Sequence, residues 1–502
     1  MKPALLLVPL ILAGCAIGPD YRAPDLPAPK SFAAAGAAAA PADLERWWHM
    51  LGDPQLDALV EEAVAANPDI EIALDRLQQV RTYQAVLIGL ALPHGEASAA
   101  IGKGTGSDDT RGRVPSLMTS ADNSALSPTK QIRQLAGFDA AWEIDLFGQD
   151  RRAIEAGLYD VETAMEARNG VLVNVISDLV RAYVDLRGLQ IRLAVLRQNI
   201  EAATSSRDYV KMRYDRGLTN ELDLALAERE LASLRSQEAP LAASRDAAQF
   251  LIATLVGRYP EDLADQLTAV KPIPALPAAI APGLPLDLIK RRPDIRQNER
   301  QLAAATARIG VATGNLFPKL AIAGTEGVQA ASFGMEHNTH IWSLGPGVYW
   351  PLLDFGSLDA AVDIADLRSR EQLALYKKSL INAVRDVDSS VAAFAAQQDS
   401  VKDLDEAVLH GQRAVELAKE RYNRGLTDYL NVVDAERQQY ALQGQLIASQ
   451  QLAAEDFVSV FKALGGGWEN YSQIPGIRLP HPAILAMFER LIEPTHAART
   501  VP

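Results

Sequence analysis

RYDRGLTNELDLALAERE, residues 213–230, returns as RYNRGLTDYLNVVDAERQ at residues 421–438. Ten of the eighteen positions are identical, and the two stretches are 208 residues apart. Repetition on this scale is typical of quasi-symmetric architectures, in which one structural unit is used more than once. The stretch therefore predicts a duplicated fold rather than a fold built around one catalytic pocket.

A second pair of matches lies earlier in each copy and extends the duplication over the whole chain. Residues 67–70 (NPDI) match residues 292–295 (RPDI), and Pro93 matches Pro318, both at a spacing of 225. The first copy therefore contains an insertion of 17 residues between Pro93 and Gly148.

The composition argues against several classes of function. The chain has 502 residues, of which 48% are hydrophobic and only 6% aromatic, which suits long and closely packed helices. A net charge of −14 argues against nucleic acid, because phosphate binding needs a basic surface. No apolar run of eighteen residues follows the N-terminus, so we expect no membrane-spanning helix. We also find no metal-ligand or nucleotide motif, and we expect no cofactor and no enzyme activity.

The N-terminus reads as a targeting segment. Residues 1–14 carry a lysine and an apolar run, and they end in Leu-Ala-Gly before Cys15, the only cysteine of the chain. This tetrapeptide resembles the bacterial lipobox, which implies that Cys15 is the lipid attachment point. By resemblance to lipoproteins, Ala16 in place of Asp implies export to the outer membrane. The alternative is an ordinary secretory signal in which Cys15 is incidental.

Each copy contains a segment with the alternation of a β-hairpin, at 93–148 and 318–356. Apolar side chains occupy every second position or nearly so, at Phe138, Ala140, Trp142, Ile144 and Leu146 and at Trp342, Leu344, Val348, Trp350 and Leu352. A soluble sheet covered by helices would show the same pattern. Glycine-rich strands with Trp near their ends favour a membrane barrel. Four strands cannot close a barrel, so several chains would have to share it.

The helical segments are unusually long. From 150 to 215 a seven-residue repeat places Leu172, Leu179, Leu186, Leu193 and Ile200 on one seam, and the positions 208 later are Leu380, Val387, Phe394, Val401 and Val408. This period predicts left-handed supercoiling against partner helices. About 65 residues would span roughly 100 Å.

Glycines end these long helices at two predicted tip turns, 215–219 and 423–427. A return helix of about 37 residues follows each turn. Together with an earlier helix of about 25 residues at 68–92, its length nearly matches that of the long helix. The sequence therefore predicts two shorter helices stacked end to end beside one long helix, twice per chain.

These segments define the predicted organisation of a mainly α protein with a small β part. They are a signal peptide (1–14), a lipid-anchored N-terminal arm (15–53), a first repeat (54–257), a proline-rich connector (258–285), a second repeat (286–468) and a C-terminal tail (469–502).

Several short motifs, weak singly, occur in a specific order. They are GPDY after Cys15, WW and GDPQL at 47–56, NPD at 67–69, WEIDLFG at 142–148, RRPDI at 291–295, PLLDFG at 351–356 and LGGGW at 464–468. In these the chain resembles the TolC-type outer-membrane factors, in particular the lipoprotein branch of multidrug (RND-type) efflux systems. The resemblance covers nearly the whole mature chain.

The resemblance implies an assembly and a function. It implies a homotrimer in the outer membrane, in which twelve strands form one transmembrane β-barrel and twelve helical rows form a coiled-coil α-barrel in the periplasm. The partners would be a periplasmic adaptor (membrane fusion protein) and an inner-membrane pump. The channel would conduct drugs or other small solutes passively to the exterior.

The resemblance also implies roles for residues at the tip turns. The adaptor would dock at Arg216-Gly217-Leu218 and Arg424-Gly425-Leu426, where some relatives have Val-Gly-Leu. Asp434 matches an aspartate that rings the pore, and the neighbouring ring position holds Asn431. Asp223 and Tyr422 match groups that latch the closed tip, while the latch arginine falls on Thr427.

The residues themselves leave other interpretations open. Asp434 read without the resemblance is an exposed charge on a helix surface, whereas three such carboxylates around one axis would attract cations. One alternative function is a periplasmic coiled-coil scaffold or adaptor lipoprotein without a barrel. A lipid-anchored periplasmic enzyme is another alternative, and it would need a polar pocket that does not recur between the copies.

Overall fold

The structure, a computed structural model, describes residues 16–27, 29, 31–33, 43–104, 131–277, 280, 283, 285–330 and 338–471. Within them the chain follows one order of elements twice: helices, two strands, a long helix and a return helix. The predicted signal peptide, Cys15 and the tail beyond Tyr471 lie outside the described residues.

The elements of the two copies correspond one to one. The first copy contains α1 (Pro54–Ala66), α2 (Pro68–Leu90), β1 (His94–Gly104), β2 (Gln131–Ile144), α3 (Gln149–Asp215) and α4 (Glu221–Leu255). After α5 (Pro260–Leu267), the second copy contains α6 (Pro285–Arg291), α7 (Pro293–Gly314), β3 (Lys319–Ala330), β4 (Asn338–Tyr349), α8 (Ser357–Asn423) and α9 (Leu430–Leu464). Both long helices have 67 residues and both return helices have 35. The predicted long and return helices are therefore confirmed.

Two features of the connector and the strands differ from the sequence prediction. The connector contains α5, which begins at Pro260 and buries Leu263 and Leu267 one turn apart. The strands are shorter than the apolar alternation suggested, because β2 ends at Ile144 and β4 at Tyr349. Among the described helices, none is both long enough and apolar enough to cross a bilayer.

The predicted seven-residue seam forms the core of the helical part. Leu172, Leu179 and Leu186 are completely buried. They belong to one apolar cluster with Val387 of α8 and with Phe461 of α9. A seven-residue period keeps one stripe of a helix in contact with its neighbours along the whole length. The seam therefore holds both copies together.

The shorter helices stack end to end, as predicted, and one hydrogen bond marks each junction. The Asn67 side chain, at the start of α2, donates to the Leu255 carbonyl at the end of α4, at 2.8 Å. In the second copy the Arg292 guanidinium donates to the Ala463 carbonyl at 2.9 Å. The donors are 225 residues apart and the acceptors 208, so these two contacts are equivalent under the duplication.

The four strands form one antiparallel sheet in the order β1-β2-β3-β4. In the first hairpin His94 lies opposite Ala141, and in the second Lys319 lies opposite Tyr349. Shifting β1 by 225 and β2 by 208 converts every pair of the first hairpin into a pair of the second. The two hairpins therefore have the same register.

Both faces of the sheet are left uncovered by the described helices. On one face the side chains are mostly apolar, and Phe138, Trp342 and Leu344 are 52%, 71% and 73% exposed. On the other face Thr325 donates to Asp139 at 2.8 Å. The soluble sheet covered by helices is therefore not what this chain forms.

A buried arginine joins the connector to the long helix of the first copy. Arg187 is completely buried on α3 and donates to the Ala269 carbonyl and to the Gln55 side chain, both at 2.8 Å. It also donates to the Tyr183 hydroxyl at 2.9 Å, and Tyr183 in turn donates to Asp53. Burial opposes ionisation of Asp53, but the Tyr183 hydrogen bond outweighs it and holds the pKa of that carboxyl below its usual range.

We expect Arg187→Leu to lower the free energy of unfolding by about 3 kcal/mol, because it leaves several buried acceptors without a donor. Denaturant titration of the purified protein, followed by the fluorescence of the buried Trp47 and Trp48, measures this loss. Arg197→Leu is the control, since its ion pair with Glu238 is exposed to solvent and should be worth less than about 1 kcal/mol. Equal losses in the two variants would contradict the structural role of Arg187.

Candidate functional site: the tip of the helical hairpins

The two predicted tip turns have the same backbone geometry. Gly217 and Gly425 have φ angles of 69° and 72°, a conformation that residues with a side chain rarely adopt. The Leu218 amide donates to the Arg213 carbonyl at 2.9 Å, and the Leu426 amide donates to the Arg421 carbonyl at 2.9 Å. This is the Schellman arrangement, which satisfies the last carbonyls of a helix. Both long helices therefore end by the same device.

The residues predicted for adaptor docking lie on the outside of these turns. Leu218 and Leu426 are 62% and 63% exposed, and Arg216 and Arg424 are exposed as well. The sequence analysis missed a second apolar pair one turn later, Leu222 and Leu430, whose side chains are also exposed. Their spacing of 208 within the repeated stretch was the signal that could have revealed them.

The structure brings Asp223 and Tyr422 together, with Thr219 between them. Both side chains are buried, although they come from α4 and α8. The Thr219 hydroxyl donates to Asp223 and lies 3.5 Å from the Tyr422 hydroxyl. The guanidinium of Arg213, at the end of α3, lies 5.0 Å from the centre of the Tyr422 ring, within cation–π range. Sequence reasoning missed both Thr219 and Arg213.

Asp434 and Asn431 occupy a different part of the tip. Both side chains are exposed, in the first turns of α9. Asn431 donates to the Thr427 hydroxyl at 2.6 Å, so Thr427, at the position of the latch arginine, is engaged within its own turn. The structure thus separates the two ring positions from the buried Asp223–Tyr422 pair.

A buried cluster lies directly above the turns and joins three helices. Glu436 of α9 is almost fully buried and pairs with Lys419 of α8 at 2.8 Å. Ser206 of α3 lies 3.1 Å from the Tyr429 hydroxyl, and burial raises the pKa of Tyr429 to about 12. The tip is therefore held by polar contacts between the two copies as well as by apolar packing.

Higher along the duct, the contact between α3 and α9 is also polar. Lys462 pairs with Asp178 at 3.1 Å, and the Gln451 amide donates to Asp185 at 2.9 Å and to Glu455 at 3.2 Å. Burial, followed by the hydrogen bond with Asp185, raises the pKa of Glu455 to about 7. Glu455 therefore holds a proton over part of the physiological pH range.

A sheet with two uncovered faces, continued by two long helical hairpins with exposed turns, defines a class of protein, the TolC-type outer-membrane channels. The sequence model of one family, described as outer membrane efflux protein, matches residues 59–258 and 284–466. The chain belongs to this outer membrane efflux protein family.

Individual relatives and solved structures agree with this assignment. The chain is 30% identical to the toluene efflux pump outer membrane protein TtgF of Pseudomonas putida over 490 residues, which cover 92% of this chain and 96% of the relative. It is 28% identical to nodulation protein T of Rhizobium leguminosarum bv. trifolii over 462 residues, which cover 91% and 96%. The solved structure of the outer-membrane channel OprN superposes with a TM-score of 0.79 at 33% identity, covering 90% of this chain and 100% of that one.

These similarities confirm the predicted family, the fold class and the function of an outer-membrane efflux channel. The family consists of channels rather than enzymes, and its location is the outer membrane. No group of three or more His, Cys, Asp or Glu side chains in the described ranges is arranged to hold a metal ion.

The raised pKa of Glu455 makes the stability of the helical part depend on pH. Between its ordinary value of 4.5 and about 7 the folded state holds a proton that the unfolded state has lost, so stability falls as pH rises through this window. We expect Glu455→Gln to remove about 1–2 kcal/mol of this decline between pH 4 and pH 8, allowing for partial exposure. Denaturant titrations at both pH values measure it, with the exposed Glu228→Gln as the control. An unchanged decline in Glu455→Gln would refute the assignment.

Proposed function

We propose that three copies of this chain form one passive duct through the outer membrane. The observation that carries this proposal is the four-stranded sheet, which has an exposed apolar face and free edges at β1 and β4. Lipid offers no hydrogen-bond partner to an open strand edge, so the strands must be closed into a ring by other chains. Three copies supply twelve strands, which is within the range of closed membrane barrels.

The duplication also supports a register for the contact between copies. Within one chain β2 pairs with β3, so that Trp142 lies opposite Ile322. The equivalent contact between chains is β4 with the β1 of the next copy. Applying the spacings of 208 and 225 places Trp350 opposite Ala97 of that copy. Trp142 and Trp350 already make equivalent contacts, since their ring N–H groups donate to the Ala91 and Leu316 carbonyls.

The N-terminal arm supports a lipid anchor at Cys15. Ala16, the next residue, lies so close to Gly148 that a Cβ added there would be 2.5 Å from the Ala16 Cα. The Ile17 amide donates to the Phe147 carbonyl at 2.9 Å. Arg152 donates to the carbonyls of Ile17 and Gly18. The arm thus begins where β2 gives way to α3, which is where the periplasmic surface of the membrane would lie.

At the other end of the duct, the tip turns are suited to docking and gating. The exposed Arg-Gly-Leu turns, with Leu222 and Leu430 beside them, would present six equivalent surfaces per trimer to the periplasmic adaptor. Asp434 would line the narrow end of the pore, with Asn431 one turn before it. Arg213 would supply a cation to the Asp223–Tyr422 pair in place of the absent latch arginine.

The solutes would be small organic molecules delivered by an inner-membrane pump, which supplies the energy. TtgF is named for toluene efflux, and a further relative, OpmQ of Pseudomonas aeruginosa, for pyoverdine export. The scaffold alternative has no use for a sheet with an uncovered apolar face, so the channel is the better explanation.

We expect the purified oligomer to conduct ions in planar bilayers and divalent cations added at the periplasmic side to block it. Asp434→Ala should weaken this block about tenfold, because the carboxylates that attract the cation are lost. Asp405→Ala, an exposed charge in the middle of α8, is the control. Unchanged block in Asp434→Ala would remove Asp434 from the pore, and an oligomer without any conductance would contradict the duct.

We expect the double variant Ala97→Cys with Trp350→Cys to form disulfide-linked dimers and trimers in native membranes on mild oxidation. Residues directly opposite each other on neighbouring strands are close enough for this bond. Replacing Glu96 instead of Ala97 moves the thiol to the opposite face and should give little product. Denaturing gels read the result, and efficient linkage with Glu96 rather than Ala97 would show that the register is wrong.

A further inference from the structure

A groove with a volume of about 820 Å³ runs between α3, α7 and α8, close to the sheet. Its floor consists of small and apolar side chains, among them Ala305 and Ala312 of α7 and Ala365 of α8. Ile364 also lines it and is 49% exposed. The groove lies within one chain and has the volume typical of sites for small organic ligands.

The groove and the N-terminal arm lie on opposite sides of α7. The arm touches α7 at Glu299, which accepts a hydrogen bond from the Tyr21 hydroxyl at 2.5 Å, and at Gly310, which lies against Gly18. At 100° per residue, Gly310 is only about 20° from Glu299 around the helix axis, whereas Ala305 and Ala312 are about 240° and 220° away. A membrane-anchored arm must lie outside the duct, so the groove faces its interior. This step rests on the proposed function.

The walls of the groove carry charges of both signs. Arg308 of α7 pairs with Asp160 of α3 at 2.5 Å and is thereby neutralised. Arg368 and Glu371 of α8 also line the groove, and neither has an ion-pair or hydrogen-bond partner in the part of the chain that the structure describes. They are three residues apart on one helix and so lie within about 5–6 Å of each other at their Cβ atoms.

We propose that this groove is a binding site for zwitterionic amphiphiles on the inner wall of the duct. The guanidinium of Arg368 would take the anionic group of the ligand and the carboxylate of Glu371 its cationic group. The apolar body would lie on the alanine floor, where it displaces water from apolar surface. In a conducting duct such binding must be weak enough to release the solute.

A short-chain sulfobetaine amphiphile, octyl sulfobetaine, tests the site below its micelle concentration. We expect it to cause transient, concentration-dependent blockade of the oligomer in planar bilayers. Octyl glucoside has the same chain and no charge, and it should block at least fivefold less potently. Arg368→Ala and Glu371→Gln should each weaken the sulfobetaine blockade about fivefold, the size expected for one partly solvated ionic contact. Arg370→Ala is the matched control, because Arg370 is paired with Asp366 and is not part of the groove.

Equilibrium dialysis of the same amphiphile with the amphipol-held oligomer measures binding without relying on conductance. Binding that is weakened by Arg368→Ala and by Glu371→Gln, but not by Arg370→Ala, supports the site. Equal binding in all variants, or equal potency of the two amphiphiles, overturns it. A protein that binds the sulfobetaine but does not conduct would contradict the duct and retain the site, whereas conduction without binding would have the opposite meaning.

Discussion

The free edges of the four-stranded sheet are the constraint on which the assembly depends. Every amide and carbonyl along the outer edges of β1 and β4 needs a partner, and lipid provides none. Within the chain the β2–β3 contact already shows how a first copy meets a second copy. Repeating that contact between chains satisfies both edges at once. The same repetition places the long helices side by side, so closure of the barrel and closure of the helical tunnel are one event.

The duplication was legible in the sequence because backbone geometry is strongly tied to residue type at a few positions. Gly217 and Gly425 had to be helix ends, and the seam through Leu179 and Leu186 had to be buried. Contacts between distant segments were not legible. The hydrogen bonds of Arg187 to the connector and the placement of Arg213 over Tyr422 depend on tertiary packing that no local pattern encodes. Thr219 is an exception, since its spacing of four residues from Asp223 was visible.

Function resides where the two copies differ. The helix junctions use Asn67 in one copy and Arg292 in the other, and both side chains reach an equivalent carbonyl, so this difference is neutral for the architecture. By contrast, Asp185 and Glu455 form a proton-sharing contact between α3 and α9, while the positions 208 residues away hold Ala393 and Ala247. A trimer would therefore have three such titratable contacts and three apolar ones in alternation. A pore with sixfold backbone geometry then acquires threefold chemistry.

Phe355 shows how strongly the single chain implies its neighbour. It is 97% exposed, and it is the one non-glycine residue with a positive φ, 52°, in the described part of the chain. Its equivalent, Phe147, stacks on Phe317 at a ring distance of 4.8 Å. A spacing of 225 converts Phe317 into Leu92, so the apolar surface that Phe355 lacks in one chain is Leu92 of the next. Strain and apolar exposure at one residue persist only where surrounding contacts offset them. The backbone at Phe355 is therefore shaped for a contact that only assembly completes.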